Sequence, residues 1–223
     1  MLVYRVGFAC DEETGEVATQ TLDNYLCEMV MDLSEHYTTS IVYLTGKGNF
    51  RDEVATTQPY KGNRDNKRVP VHKNLLRDFM VSEWNAQVVN GMEADDAIAI
   101  KATELDHNAI ICSLDKDFKQ IPCQMYDYTK KMLNAFNKDD AMRWLYKQAL
   151  MGDRVDNIPG IHGVGPKKAD KIIDPCTTEW ECYSTCLTHY WDNDLDEDRL
   201  MESLQLLYLL RSDDDKYEKP SEI

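Results

Sequence analysis

Residues 152–169 read GDRVDNIPGIHGVGPKKA, and this stretch decides how the rest of the chain is interpreted. It contains a glycine-rich turn formed by Gly160, Gly163 and Gly165. Glycines let backbone amides come close to a phosphate, and a helix that begins after the turn adds its dipole to them. Lys167 and Lys168 follow directly. The stretch therefore predicts contacts to a duplex backbone rather than to base edges. A tight helix–turn–helix with two lysines in solvent is the alternative.

Acidic residues form three clusters along the chain, each where a predicted strand ends or a predicted helix meets a turn. The members are Glu93, Asp95 and Asp96, then Asp115 and Asp117, and finally Asp153 and Asp156. Like charges a few ångströms apart repel by roughly 4 kcal/mol at an effective dielectric constant of about 20, so gathering them requires cations. All-oxygen ligand sets suit Mg²⁺ or Mn²⁺. We therefore predict two divalent ions held by these carboxylates beside a phosphate-binding turn, which indicates phosphodiester hydrolysis.

Each cluster also has a simpler explanation. Acids in the first turn of a helix are favoured by the helix dipole, and Asp117 suits an N-cap. Three acids within four residues repel one another, however, and acids at the end of a helix oppose its dipole. Asp115, at the tip of an apolar strand, is the better ligand candidate of its pair because the strand fixes its position.

Residues 60–73, YKGNRDNKRVPVHK, concentrate positive charge. The cations are Lys61, Arg64, Lys67, Arg68 and Lys73. A charge run is usually a solvated surface, but this one lies in a chain whose two ends are acidic, which favours phosphate contacts. Tyr60 adds a ring on which a nucleic-acid base could stack.

Charge is distributed unevenly along the 223 residues, whose net charge is −15. Residues 1–40 hold eight acids and one base, and residues 175–223 hold thirteen acids and four bases. The middle is nearly balanced, so any contact with a polyanion must be confined to a patch. Seven cysteines without CxxC spacing indicate reduced thiols. No signal segment or membrane span is predicted, so we expect the cytoplasm of a bacterium or of a phage-infected host and no membrane partner.

Strands and helices alternate as far as residue 128, which predicts an α/β core over residues 1–136 with a parallel sheet covered by helices. Predicted strands lie at 40–44, 86–89, 109–113 and 124–128. Residues 137–223 are predicted to form a helical module with acidic C-terminal helices, and residues 212–223 to be frayed. Ligands of open α/β sheets bind beyond the carboxyl ends of the strands, where the first two acidic clusters fall.

Together these motifs resemble the 5′ nuclease family, which comprises the 5′–3′ exonucleases and flap endonucleases of bacteria and phages, and most resemble the phage type. The motifs are YKGNR, MEADDAIA, SLDKDFKQIP and GDRVDNIPGIHGVGPKKA. The resemblance implies a PIN-like, Rossmann-like nuclease core, a helix–three-turn–helix module, and Mg²⁺-dependent hydrolysis of DNA at or near a free 5′ end. It assigns the seven clustered acids to metal binding, Lys61 and Arg64 to the scissile phosphate, and the glycine turn with Lys167 to the DNA backbone, often with a potassium ion.

Two features depart from the family pattern. The family opens with an apolar strand that ends in a metal-binding aspartate, whereas this chain starts at MLVYRVGF, which resembles the segment after that strand. Either the true start lies upstream or this form lacks that strand and ligand. The family also often carries an aspartate after the strand that matches residues 40–44, where this chain reads Thr45-Gly46-Lys47.

Other functions remain open at this point. A ribonuclease acting on RNA primers in hybrids, or a PIN-type ribonuclease, would use similar acids, although PIN-type enzymes generally lack the glycine turn. A non-catalytic protein that binds DNA structures would explain the missing aspartate. A metal-binding regulator leaves the basic stretch and the glycine turn unexplained. We expect a monomer that binds DNA with a 5′ end or flap and without sequence preference.

Overall fold

The computed structural model describes residues 1–64 and 67–222. Its helices are α1 (Leu2–Ala9), α2 (Gly15–Leu33), α3 (Arg51–Val54), α4 (Lys73–Trp84), α5 (Ala94–Glu104), α6 (Lys138–Met151), α7 (Pro166–Ile173), α8 (Glu179–Trp191) and α9 (Glu197–Leu207). Its strands are β1 (Tyr43–Thr45), β2 (Gln87–Val89), β3 (Ile110–Cys112), β4 (Gln124–Asp127), β5 (Met132–Ala135), β6 (Gly152–Asp153) and β7 (Ile158–Pro159). Within these residues, no helix combines the length and apolarity that crossing a membrane requires.

The β-structure is mixed rather than wholly parallel. β1 pairs in parallel with β2, and β3 pairs in parallel with β4. β5 then pairs antiparallel with β4, and in the described part of the chain the two groups of strands form separate sheets. The predicted α/β class is confirmed. The prediction of one parallel sheet is wrong at β5, a four-residue strand whose side chains are all exposed, so it has no alternation of buried and exposed positions.

Helix starts follow local capping chemistry. Asn137 caps α6 by accepting a hydrogen bond from the amide of Asp140 (2.8 Å). Pro166 occupies the first position of α7, directly after Gly165. α2 begins at Gly15 because Thr14 caps it by accepting a hydrogen bond from the amide of Val17 (3.3 Å).

A short antiparallel hairpin interrupts the C-terminal helices. β6 and β7 pair Gly152 with Pro159, and the backbones cross closely there. A Cβ atom on Gly152, whose φ is +69°, would lie 2.2 Å from the Gly160 nitrogen, and one on Gly160 would lie 2.2 Å from the Met151 carbonyl carbon. Both positions therefore need glycine. The helical prediction for everything after residue 137 is wrong at this hairpin, and the domain division at 136 stays a prediction.

The C-terminal segment is packed, which corrects the prediction that residues 212–223 are frayed. Tyr217 is only 4% exposed and its hydroxyl lies 2.8 Å from that of Tyr146 on α6. Lys219 also forms an ion pair with Glu197 on α9 (2.5 Å). Fraying was predicted because the segment is rich in aspartate and lysine. Composition does not show that one aromatic side chain, that of Tyr217, anchors the segment.

A buried ion pair joins α3, α5 and the segment after α9. Arg51 and Asp96 are 2% and 0% exposed, and the guanidinium contacts both carboxylate oxygens at 2.7 and 2.8 Å. Arg51 also donates to the carbonyls of Leu206 (2.8 Å) and Tyr208 (2.6 Å). This pair connects the residues that follow β1 to the end of the helical region.

We predict that Arg51→Met lowers the free energy of unfolding by about 3–5 kcal/mol, because the buried Asp96 charge loses its partner. Urea denaturation of the wild type and the variant measures this change. The double variant Arg51→Met/Asp96→Asn removes the unpaired charge and should recover part of the loss. Equal denaturation midpoints for wild type and Arg51→Met would show that the pair contributes nothing.

Candidate active site

The three acidic clusters come together at one place in the fold. Tyr60 connects the first cluster to the third, since its hydroxyl donates to Glu93 (2.8 Å) or Asp156 (3.0 Å). Glu93 is the N-cap of α5, and Asp115 follows β3 as the N-cap of a short 3₁₀ turn at Lys116–Gln120. The second and first clusters also lie close enough for their charges to interact strongly.

Proton affinities report this crowding of negative charge. Burial, together with the charges of Asp115 and Glu93, raises the pKa of Asp95 to about 6. Burial and the charges of Asp115 and Asp153 raise the pKa of Asp117 to about 7. The charge of Asp115 therefore acts on both of these acids. Six acids form one continuous group: Glu93, Asp95, Asp115, Asp117, Asp153 and Asp156.

Basic side chains of the protein neutralise part of this group. Lys61 contacts Glu93 closely and lies 3.5 Å from Asp156, while Arg64 lies 2.5 Å from the other oxygen of Asp156. Lys116 contacts Asp153 at 2.8 Å. The sequence did not single out Lys116, although its place between Asp115 and Asp117 could have suggested it.

The donor chemistry of the group fits a hard divalent cation, because the acids are all carboxylates, and burial together with neighbouring negative charge raises the pKa of two of them. Within residues 1–64 and 67–222, no group of three histidine, cysteine, aspartate or glutamate side chains is arranged so that it could hold a metal ion. Three of the carboxylates, those of Glu93, Asp153 and Asp156, are each paired with a lysine or an arginine in this arrangement.

Asp96 is a correction to the predicted ligand set. Both its oxygens lie against Arg51, and they also accept hydrogen bonds from the amides of Glu93 (3.0 Å) and Leu210 (3.3 Å). The side chain is fully buried and committed to these partners. We therefore assign Asp96 to the structure of the α5 start rather than to metal binding. Its spacing from Glu93, three residues, is that of a capping box.

Tyr60 is a second correction. Its ring is 9% exposed, so it offers no free face on which a base could stack. Burial and the charge of Glu93 raise the pKa of its hydroxyl, which stays a hydrogen-bond donor to the carboxylates. The sequence assigned Tyr60 to base stacking, which the burial of its ring contradicts. A tyrosine within a basic segment has the same sequence pattern whether its ring is exposed or buried.

The basic segment lies on the loop between β6 and β7. The amide of Lys61 donates to the Asp156 carbonyl (2.9 Å), and Asn63 and Arg64 donate to the carbonyls of Arg154 (2.6 Å) and Val155 (3.2 Å). Lys61 and Arg64 are thereby placed at the acidic group, and their assignment to the scissile phosphate stays a prediction.

Farther along the segment, the cations lie away from these carboxylates. Lys67 is exposed, and Arg68, which is 73% exposed, pairs with Asp11 at 2.5 Å. Their predicted contacts with DNA stay predictions.

Gly46 has a steric explanation. Its amide donates to the Val89 carbonyl (2.6 Å), and a Cβ atom would lie 2.3 Å from the side-chain oxygen of Asn90. Asn90 also accepts a hydrogen bond from the amide of Lys47 (2.8 Å). An aspartate at this position would therefore have to displace Asn90, so the site is built here without that acid.

The glycine turn borders an open hollow of about 600 Å³. No carboxylate lines it, and its lining includes Arg154 and His162. A Cβ atom at Gly163 or Gly165 would meet nothing within 4 Å, so the backbone there is accessible. Gly160 also lines the hollow, although its main constraint is the close crossing with β6. Lys167 and Lys168 are exposed in the first turn of α7.

The raised pKa of Asp117 predicts an unusual dependence of stability on pH. Its value of about 7 in the folded protein exceeds the ordinary 3.8, so the metal-free folded state binds more protons than the unfolded state between about pH 4 and 7. The contribution of this group to stability therefore falls as the pH rises through that window. At about 1.4 kcal/mol for each pKa unit, Asp117→Asn should stabilise the chelator-treated protein by roughly 3–4 kcal/mol at pH 8.

Thermal or urea unfolding at pH 4 and pH 8, in the presence of a chelator, measures this effect. The asparagine introduced by Asp117→Asn retains an oxygen that can accept the hydrogen bond from Gln148 (2.6 Å in the wild type), so the contact is preserved. The gain should become small near pH 4, where the folded-state aspartate is protonated and the unfolded-state aspartate is close to its own pKa of 3.8. A variant as stable as the wild type at pH 8 would contradict the crowding of charge at this position.

The chain is similar to several known proteins. Residues 1–147 match the family model described as 5′-3′ exonuclease, N-terminal resolvase-like domain. The chain is 37% identical to the flap endonuclease Xni of Shewanella denitrificans over 125 residues, which are 51% of this chain and 48% of that protein. It is 30% identical to DNA polymerase I of Bacillus caldotenax over 155 residues, which are 60% of this chain and 17% of that protein. The chain thus spans half or less of these relatives.

The fold is also similar to that of a solved structure. The T5 5′-exonuclease with bound zinc ions superposes with a TM-score of 0.60 at 22% identity, covering 83% of this chain and 80% of that one. At this identity the likeness establishes a shared α/β nuclease fold. It includes the region after residue 147, which the family model does not cover.

Proposed function

Because this chain belongs to the 5′-3′ exonuclease family, we propose that it is a divalent-metal-dependent nuclease that hydrolyses DNA phosphodiesters at or near a free 5′ end. The relatives it matches are a flap endonuclease and a DNA polymerase I, and the similar structure is that of a 5′-exonuclease with bound zinc. The proposal covers both exonuclease and flap-endonuclease cleavage.

The observation that carries the proposal is the continuous group of six acids, bordered by Lys61, Arg64 and Lys116. Negative charge concentrated this strongly favours bound cations, and Mg²⁺ or Mn²⁺ would be held by these six carboxylates. Two such ions, when bound, would activate a water molecule and stabilise the leaving oxygen.

Lys61 and Arg64 are assigned to the scissile phosphate. Each is now paired with a carboxylate of the group, and each would turn to the phosphate when those carboxylates bind cations. There the two positive charges offset the charge that develops on the phosphate in the transition state. The buried hydroxyl of Tyr60 lies within hydrogen-bond distance of both Glu93 and Asp156 and would orient whichever carboxylate it donates to.

The glycine turn is assigned to the duplex. Its accessible amides, the start of α7 and the exposed Lys167 and Lys168 suit phosphates of the DNA backbone, so sequence preference should be slight. We include in the proposal a helix–three-turn–helix module within residues 137–223, an α/β core within residues 1–136, and a potassium ion at the turn. The proposal also includes that the protein is a monomer and that it acts in the cytoplasm.

Cleavage of a 5′-flapped duplex and of a blunt duplex, labelled at either end, with Mg²⁺ or with a chelator, tests the proposal. We expect cutting that requires Mg²⁺, with product lengths that separate exonuclease from flap cleavage. A parallel substrate with an RNA 5′ end measures any preference for RNA primers. A folded protein that binds the flap equally with and without Mg²⁺ and cuts nothing would contradict the enzyme and favour a DNA-structure-binding protein.

A further inference from the structure

Two residues of α9 hold the loop that leads into the basic segment. Glu202 is 7% exposed, and one of its carboxylate oxygens accepts hydrogen bonds from the amides of Thr56 (2.7 Å) and Thr57 (2.8 Å). Its other oxygen accepts from the Thr57 hydroxyl and from Arg199 (3.0 Å). The loop at 55–59 is thereby fixed just before Lys61.

Arg199 extends the same network to the glycine turn. Its guanidinium donates to the Pro159 carbonyl at 2.7 Å, directly before Gly160, and to the Thr57 hydroxyl at 3.2 Å. The pair therefore contacts the basic segment on one side and the β6–β7 hairpin on the other. A second connection between the same two regions comes from Asn157, whose side chain donates to the Pro59 carbonyl (2.9 Å).

Burying the Arg199–Glu202 ion pair costs free energy, and the stability of α9 does not require such a pair. A buried carboxylate and guanidinium lose hydration that their mutual attraction does little more than repay, and an apolar pair of the same size would pack as well. What the charged pair adds is direction, because each hydrogen bond fixes a particular backbone group of a neighbouring loop. Both residues lie after the matched residues 1–147.

We propose that Arg199 and Glu202 are positioning residues that set the distance between Lys61 and the glycine turn, and thereby the place at which DNA is cut. The inference rests on the proposed function, in which Lys61 faces the scissile phosphate and the turn grips the duplex. A fixed separation between these contacts selects one phosphate along the strand. Misplacement by about 1 Å can slow a reaction roughly a hundredfold, so a looser connection affects both rate and position.

Hydrogen–deuterium exchange of the DNA-free protein tests the positioning role without any cleavage. In Glu202→Gln, peptides covering 55–62 and 158–165 should exchange faster, because one amide acceptor is weakened and the arginine loses its charged partner. Asp198→Asn is the matched control, since Asp198 is an exposed acid on the same helix. Unchanged exchange in both peptides of a folded Glu202→Gln protein would overturn the proposal. If Glu202→Gln does not fold, the same exchange measurement is made on Thr57→Val, which removes only the hydroxyl contacts.

Mapping the cut on a 5′-flapped duplex tests the consequence for specificity. We expect single-turnover cleavage by Glu202→Gln to fall about tenfold at saturating DNA and the cuts to spread to neighbouring phosphates, while duplex affinity and the Asp198→Asn control stay at wild-type levels. Wild-type cut positions in a variant with faster exchange would overturn the specificity role. If the wild type does not cut DNA at all, the proposed function fails, and the exchange experiment still decides whether the pair positions the two regions.

Discussion

Asp115→Asn is expected to slow Mg²⁺-dependent cleavage by roughly a thousandfold or more, because it removes the central charge of a site whose cations supply several kcal/mol of transition-state stabilisation. The substitution is milder than alanine. The introduced asparagine side chain can still accept the hydrogen bond from the Asp117 amide (3.1 Å in the wild type) that starts the 3₁₀ turn. The loss should therefore come from charge rather than from a local change of fold.

The same variant has a readout that does not depend on activity. Since the Asp115 charge raises the pKa of both Asp95 and Asp117, removing it should lower both values in the metal-free protein. Carboxyl titration by NMR measures these shifts, and calorimetry with Mn²⁺ measures weakened binding. Asp106→Asn is the control, because Asp106 is exposed with φ of +50°, which asparagine tolerates. Cleavage as fast as that of Asp106→Asn would refute the assignment.

The sequence indicated that acidic residues lie at strand ends and helix starts, whereas their role in metal binding stays a prediction. The motif that contains Glu93 starts α5, and Asp115 follows β3, as the alternation of elements indicated. It could not predict which charges are already paired. Arg51 lies in an undistinguished loop sequence, and its contact with Asp96 joins residues 45 positions apart. Such pairings depend on tertiary packing and have no local pattern.

The same limit explains the two misassigned side chains. Asp96 belongs to a run of acids in which charge repulsion was the argument for metal binding, yet one buried arginine neutralises it. Tyr60 lies in a run of cations in which base stacking was the expectation, yet the ring is buried and the hydroxyl is used. In both cases the residue type and its position in the sequence indicated that the residue lies near the site. Its contact partner depends on burial, which cannot be predicted from a charged segment.

Lys61→Met is expected to lower the cleavage rate at saturating DNA by roughly a hundredfold to a thousandfold, the usual loss for one preorganised donor to a developing negative charge. Lys61 is well placed for this role. Its ammonium group lies beside Glu93 and within 3.5 Å of Asp156, and it packs over the Tyr60 ring at 4.8 Å, so it is held rather than mobile. Methionine keeps most of the packing and removes the charge.

Lys67→Met is the matched control for this substitution, since Lys67 is an exposed lysine of the same segment and its loss changes the net charge equally. If Lys61 acts on the phosphate in the transition state, kcat should fall in Lys61→Met with little change in KM, whereas Lys67→Met should at most weaken binding. Equal, salt-sensitive losses of affinity in both variants would instead assign Lys61 to general attraction of DNA. The kcat effect therefore separates a group acting on the reacting phosphate from a basic surface.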